Sequence, residues 1–97
     1  MTTLTSKEQA ALNFHVRNNG CGATTKTELH DDNFSWFGLD DLMTGLNLSR
    51  HEAAGIMSAL DAKGVAVDHE AGAKVRQRGR ADWYVTDRGI DASDLPD

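Results

Sequence analysis

One cysteine, one proline and one tyrosine occur in 97 residues, and aromatic side chains make up only 6% of the chain. A lone cysteine, Cys21, excludes an intramolecular disulfide and fits a reducing cytoplasm, the expected compartment. Cys21 itself reads as a small loop residue. No apolar run approaches the ~20 residues of a membrane-spanning helix, so no membrane partner is expected. The stretch "MTTLTSKEQ" lacks a basic flank followed by an apolar segment, and no signal peptide is expected there. Cations are scarce too. Ten Lys and Arg against fifteen Asp and Glu leave a net charge of -5, which argues against general, charge-driven binding to nucleic acid. The rest of the composition, 39% hydrophobic and 26% charged, is that of an ordinary globular chain. With no linker, repeat or low-complexity segment, residues 1–97 are expected to form one domain.

The few cations are unevenly placed. Four of the ten, Lys74, Arg76, Arg78 and Arg80, fall within "AKVRQRGRAD" with no acid between them. Residues 28–41 carry Glu28, Asp31, Asp32, Asp40 and Asp41 and no Lys or Arg, and residues 91–97 add Asp91, Asp94 and Asp97. The average therefore hides a basic spot on an acidic body. A hairpin tip needs one or two charges to protect its edges, so four alternating cations favour a binding role.

Periodicity and end signals lay out the elements. Thr5 and Glu8 have the spacing of a capping box, and Ala11, Leu12, Phe14, His15 and Val16 form an apolar stripe that Asn18-Asn19-Gly20 closes. Thr25 and Glu28 repeat the box and predict one short helical turn, while "FSWF" at 34–37 predicts a brief strand. "LDDLMTGL" predicts a short helix with Leu39, Leu42, Met43 and Leu46 on one face. Ser49 then caps "RHEAAGIMSALDAK", whose stripe is Ala53, Ile56, Met57 and Leu60, and Gly64 ends it. "VAVDH" and "DWYVT" read as strands bracketing the basic run, with Trp36, Phe37, Trp83 and Tyr84 packing the sheet edge. Thr86 caps a last turn, "DRGIDAS", before an acidic tail, 91–97, expected to fray.

Within this order, "DLMTGLNLSRHEAAGIMSALDAKGV" resembles the helix-turn-helix of MarR-type and related bacterial and phage regulators. Those proteins run E-L-A-x-x-L-G-L-S through the first helix and turn and end L-E-x-K-G-L. Asp41-Leu42-Met43 opens that motif, Leu46-Asn47-Leu48-Ser49 makes its turn, Asp61, Lys63 and Gly64 match its ending, and "WYVTDRGI" resembles the second wing strand and its L-T-x-x-G ending. The chain departs from the pattern at Met43, where the family has a small residue, and at Asn47, where it has Gly. It departs again at Ala54-Gly55, positions that in the family often hold groove-facing polar residues. The resemblance implies an α+β winged helix-turn-helix: a three-helix core with a small antiparallel sheet and a β-hairpin wing. The motif would span about 39–64 and the wing about 65–86.

The function implied is that of a small DNA-binding transcriptional regulator. Helix 49–63 would enter the major groove, presenting Ser49, Arg50, His51, Ala54 and Ser58, and Lys74, Arg76, Arg78 and Arg80 would lie on the backbone or in the minor groove. Five phosphate contacts per protomer would give a salt slope of about -4 to -5. One such unit covers one half-site, so a homodimer on double-stranded DNA is expected. Seven residues follow Ile90, too few for the long dimerisation helices of the family, leaving that role to the first helix or to 20–33. The alternative is a winged-helix protein-binding module, or a phage-type inhibitor whose acidic surface at 28–41 engages a nucleic-acid-processing partner. No catalytic set, cofactor or metal site is expected: His15, His30, His51 and His69 lack ligand spacing, and Asp40-Asp41 complement a helix start.

Overall fold

The computed structural model describes residues 3–19, 22–31, 36–68 and 83–97. Among these residues five helices and three strands follow in order: α1 (Ser6–Arg17), α2 (Lys26–Asp31), β1 (Trp36–Phe37), α3 (Leu39–Leu46), α4 (Arg50–Ala62), β2 (Ala66–Asp68), β3 (Trp83–Val85) and α5 (Asp87–Ala92). The class is α+β, mostly helical. No helix among the described residues is long and apolar enough to cross a membrane.

Local signals start and stop these helices where the residue types demand. At α1, Thr5 Oγ1 accepts from the Glu8 N–H at 3.2 Å and Glu8 Oε1 accepts from the Thr5 N–H at 2.9 Å. Two of the orphan donors of a helix start are thereby satisfied. Ser49 and Glu52 build the same reciprocal box at α4, at 3.1 and 3.3 Å. Gly38 has no side chain to cap α3, and Asp41 Oδ2 takes its N–H instead. Asn47, the one non-glycine residue with positive φ among those described, ends α3 at φ 54°, the left-handed conformation that Asn tolerates. Gly64, at φ +76°, closes α4, and the Val65 N–H reaches back to the Leu60 carbonyl at 3.1 Å.

The apolar stripes meet in one core. Ala11, Leu12 and Val16 of α1, Leu42 of α3 and Ala53, Ile56, Met57 and Leu60 of α4 are buried together with Val65, Ala66, Trp83, Val85 and Ile90. Leu29 of α2 and Leu95 of the tail extend this cluster. Met43 is half-buried at its rim. The sheet is antiparallel with order β1-β3-β2. Trp36 faces Tyr84 and Phe37 faces Trp83 on one side of β3, while Ala66 faces Val85 and Asp68 faces Trp83 on the other. Trp83 and Tyr84 therefore sit on the central strand rather than at an edge, because β1 pairs with β3 across most of the sequence.

Two further features differ from the sequence expectation. The acidic tail does not fray at its start. Leu95 is buried, the Asp94 N–H bonds Asn13 Oδ1 at 3.1 Å, and the Asp94 carboxylate pairs with the Arg17 guanidinium, whose Nε lies 3.1 Å away. The Lys26 N–H donates to the Pro96 carbonyl at 2.7 Å, so the tail also anchors the start of α2. Charge counting missed this because one buried leucine outweighs the acids around it. The second difference is that the short turn foreseen near Thr25 is a six-residue helix docked on α5. His30 reaches Asp91 Oδ1 at 2.8 Å and Asp87 Oδ1 at 3.3 Å, and these carboxylates, Asp91 foremost, raise its pKa.

A half-buried charge pair ties the start of α1 to the end of α4. Glu8, already bonded to Thr5, also accepts from the Lys63 ammonium at the end of α4, and that bond is the main reason its carboxyl titrates below the usual range. Lys63 thus grips Glu8 as well as complementing its own helix end.

Gly89 has a packing reason. A Cβ there would lie 2.1 Å from the Val65 carbonyl oxygen and 2.6 Å from Val85. Backbone cannot step aside as a flexible side chain can, so Gly89→Ala is expected to destabilise the fold by about 1–3 kcal/mol despite alanine's better helix propensity. A urea midpoint at or above that of the natural chain would contradict this packing.

His15 is 3% exposed, its ring edge-on to Phe14 with centroids 5.6 Å apart. Burial pushes its pKa down to about 3, so the folded chain holds it neutral. The unfolded chain takes up a proton near the ordinary value of about 6.5. The contribution is therefore present above that value and lost as the pH falls toward the folded one. From about pH 7 to about pH 5 the natural chain should lose about 2 kcal/mol more stability than His15→Leu does. Parallel losses in chemical denaturation at the two pH values would show that His15 titrates alike in both states.

Candidate functional site

The corner formed by α3, its turn and the first turn of α4 gathers Ser49, Arg50 and His51 of the residues expected to bind, with Ser58 farther along α4. The buried stripe of α4 turns Arg50, His51, Gly55 and Ser58 outward, and all four are exposed. His51, Gly55 and Ser58 follow one another at spacings of four and three, so they run along one face. Ser49 is exposed, but its hydroxyl accepts the Glu52 N–H and so has the helix cap as a first task. Ala54 is half-buried beside Ala53 and stands on the shoulder of this face rather than at its centre, which Gly55 occupies. Lys74, Arg76, Arg78 and Arg80 lie outside the described residues, in the connection between β2 and β3.

Two ion pairs flank the first turn of α4. Arg50 Nη1 stands 3.9 Å from Asp40 Oδ1 on α3, and Lys7 Nζ of α1 stands 3.8 Å from Glu52 Oε2. The Glu52 carboxyl titrates below the usual range, mainly because it accepts the Ser49 N–H. Asp40 and Glu52 were not singled out as site residues from sequence. The capping-box spacing of Ser49 and Glu52 was there to be read, but the approach of Asp40 to Arg50 needs the turn at Asn47 to fold α3 back beside α4.

The same pairing recurs across the molecule. Among the described residues Lys7, Arg17, Lys26, Arg50 and Lys63 each face a carboxylate: Glu52, Asp94, Asp97, Asp40 and Glu8 respectively. Of the four described acids of 28–41, three have comparable local tasks. Glu28 accepts from Thr24 and Thr25, Asp40 meets Arg50, Asp41 caps α3, and Asp31 is exposed. A shallow cleft beside the corner, between the end of α1 and the start of α3, is lined by Phe14, His15, Asn18, Asp40, Asp41 and Thr44. Its charged groups are carboxylates, which does not suit an anionic ligand. No group of three or more His, Cys, Asp or Glu among the described residues can hold a metal ion.

No protein family model matches the chain, and no curated protein or solved structure matches it.

Gly55 differs from the other helical glycines. A Cβ at Gly45 would lie 2.1 Å from Phe14 Cζ, and Gly89 abuts backbone, yet nothing stands within 4 Å of a Cβ at Gly55. Gly55→Ala is therefore expected to stabilise the protein by about 0.5–1 kcal/mol, the backbone-entropy cost of glycine inside a helix. An unchanged or lowered urea midpoint would show a contact on this face that the free structure does not contain.

Proposed function

We propose that the chain is a winged helix-turn-helix DNA-binding regulator that acts as a homodimer on double-stranded DNA. The observation that carries this reading is the α3–turn–α4 corner. Asn47 in the left-handed conformation folds two helices against each other, and the buried stripe of α4 leaves Arg50, His51 and Ser58 exposed on its outer face. A helix so presented, with Arg50 at its start, suits the major groove.

The sheet supports the same reading. β2 and β3 pair directly, Asp68 opposite Trp83, so the chain that carries Lys74, Arg76, Arg78 and Arg80 leaves and returns at neighbouring positions beside α4. In this reading that connection is the wing. It also has to supply the net positive charge, because the described cations near the corner, Lys7 and Arg50, already face carboxylates. The first turn of α4 then orients the protein and the connection provides much of the attraction to phosphate. Ala54-Gly55 leaves few hydrogen-bonding groups in mid-helix, so base readout falls to Arg50, His51 and Ser58. Of the described acids at 28–41, Glu28, Asp40 and Asp41 cap helices or pair internally and Asp31 is exposed, which gives the acidic-surface alternative less to work with.

Selection from a random duplex library at two salt concentrations tests the proposal. The natural chain is expected to retain duplexes at low salt. The triple variant Arg76→Ala, Arg78→Ala, Arg80→Ala should bind all sequences more weakly, with a salt slope shallower by about 2–3. Retention of no duplex at low salt would refute DNA binding, whereas an unchanged slope in the triple variant would remove the connection from the interface.

A further inference from the structure

We propose that Asp40 is a built-in competitor for Arg50: in the unbound protein its carboxylate occupies the position beside the guanidinium that a DNA phosphate takes in the complex. The inference rests on the DNA-binding reading and adds to it a residue that sets how readily Arg50 is released.

Three carboxylates lie in the first turns of α3 and α4, and two of them are held by backbone. Asp41 Oδ2 accepts the Gly38 N–H at 2.9 Å, and Glu52 Oε1 accepts the Ser49 N–H at 3.3 Å while its other oxygen faces Lys7. Asp40 makes no capping bond among the described residues, and its ion-pair partner there is Arg50, at 3.9 Å. Both side chains of that pair are 68% exposed, so a phosphate arriving from solvent can reach the guanidinium without moving backbone. Carboxylate and phosphate offer guanidinium the same kind of charged, two-oxygen acceptor, which makes the exchange a substitution of like for like.

The exposure of the pair also bounds its effect. An exposed ion pair shifts an equilibrium by no more than about five-fold, so Asp40 biases Arg50 rather than locking it. Exchange carries a second signature. When a phosphate takes Arg50, Asp40 is left to gather a counterion from solution, and this offsets the counterion released from the DNA. The natural chain should therefore show a salt slope shallower by about one than a chain lacking the Asp40 charge.

The experiment is a double-mutant cycle on a random-sequence duplex pool, titrated across a salt series with the natural chain, Asp40→Asn, Arg50→Ala and the double variant. Asp40→Asn keeps the shape and the polar helix start, and urea midpoints verify that all four chains fold. The expected result is binding about three- to five-fold tighter for Asp40→Asn at low salt, with a slope steeper by about one. In the Arg50→Ala background the gain should shrink by at least about half, because the competitor then has nothing to hold. An equal gain in both backgrounds would assign Asp40 to plain repulsion of the DNA and overturn the proposal, as would a natural chain that binds and is unaffected by Asp40→Asn. If none of the four chains retains duplex at low salt, the DNA-binding reading fails and the proposal falls with it.

Discussion

Ala53, Ile56, Met57 and Leu60 project from one side of α4 into the space enclosed by α1, α3 and β2, and all four are buried there. Each such side chain taken from water contributes about 1.5–3 kcal/mol, alanine less, and no other helix of the structure contributes four. The rest of the arrangement follows from keeping that stripe dry. α3 must fold back sharply to cover it, which requires a residue tolerant of positive φ at position 47. The chain leaving α4 must reverse at once to let Val65 and Ala66 close the far side, which Gly64 permits. The outward face of α4 is what remains.

The polar groups then settle around that frame. Thr86 shows the coupling: its hydroxyl donates to the Gly64 carbonyl at 2.7 Å and accepts the Gly89 N–H at 3.1 Å, so one side chain links the turn after α4 to the start of α5. Glu8 and Lys63 link the start of α1 to the end of α4 in the same manner. Among the described residues, five of the six Lys and Arg cations are thus engaged with carboxylates of other elements. The corner around the first turn of α4 accordingly carries nearly balanced charge, Lys7 and Arg50 standing against Glu52 and Asp40.

Much of the fold was legible in residue spacing. The helix starts at Thr5, Ser49 and Thr86, the stop at Gly64, and the stripes of α1 and α4 all appear where periodicity and capping chemistry place them. These are contacts within four residues, and sequence spacing encodes them directly. Less legible were α2 and the tail. α2 is six residues long and is held by Leu29, His30 and the Pro96 carbonyl, partners up to seventy residues away. At the site, the exposed positions of Arg50, His51 and Ser58 could be deduced from the stripe opposite them. The demotion of Ala54 to the shoulder and the arrival of Asp40 beside Arg50 could not.

By itself, then, the sequence determined which segments become helix or strand, which face of each is apolar, and where the charge concentrates, because those properties belong to local spacing and composition. Tertiary structure alone decided that β1 crosses to pair with β3, that Trp83 is central, that Leu95 pins an acidic tail, and that Lys7, Arg17, Lys26, Arg50 and Lys63 meet carboxylates from other elements. The physical reason is distance along the chain. These contacts join residues separated by ten to more than seventy positions, and only the packing of the shared core brings them within reach of one another.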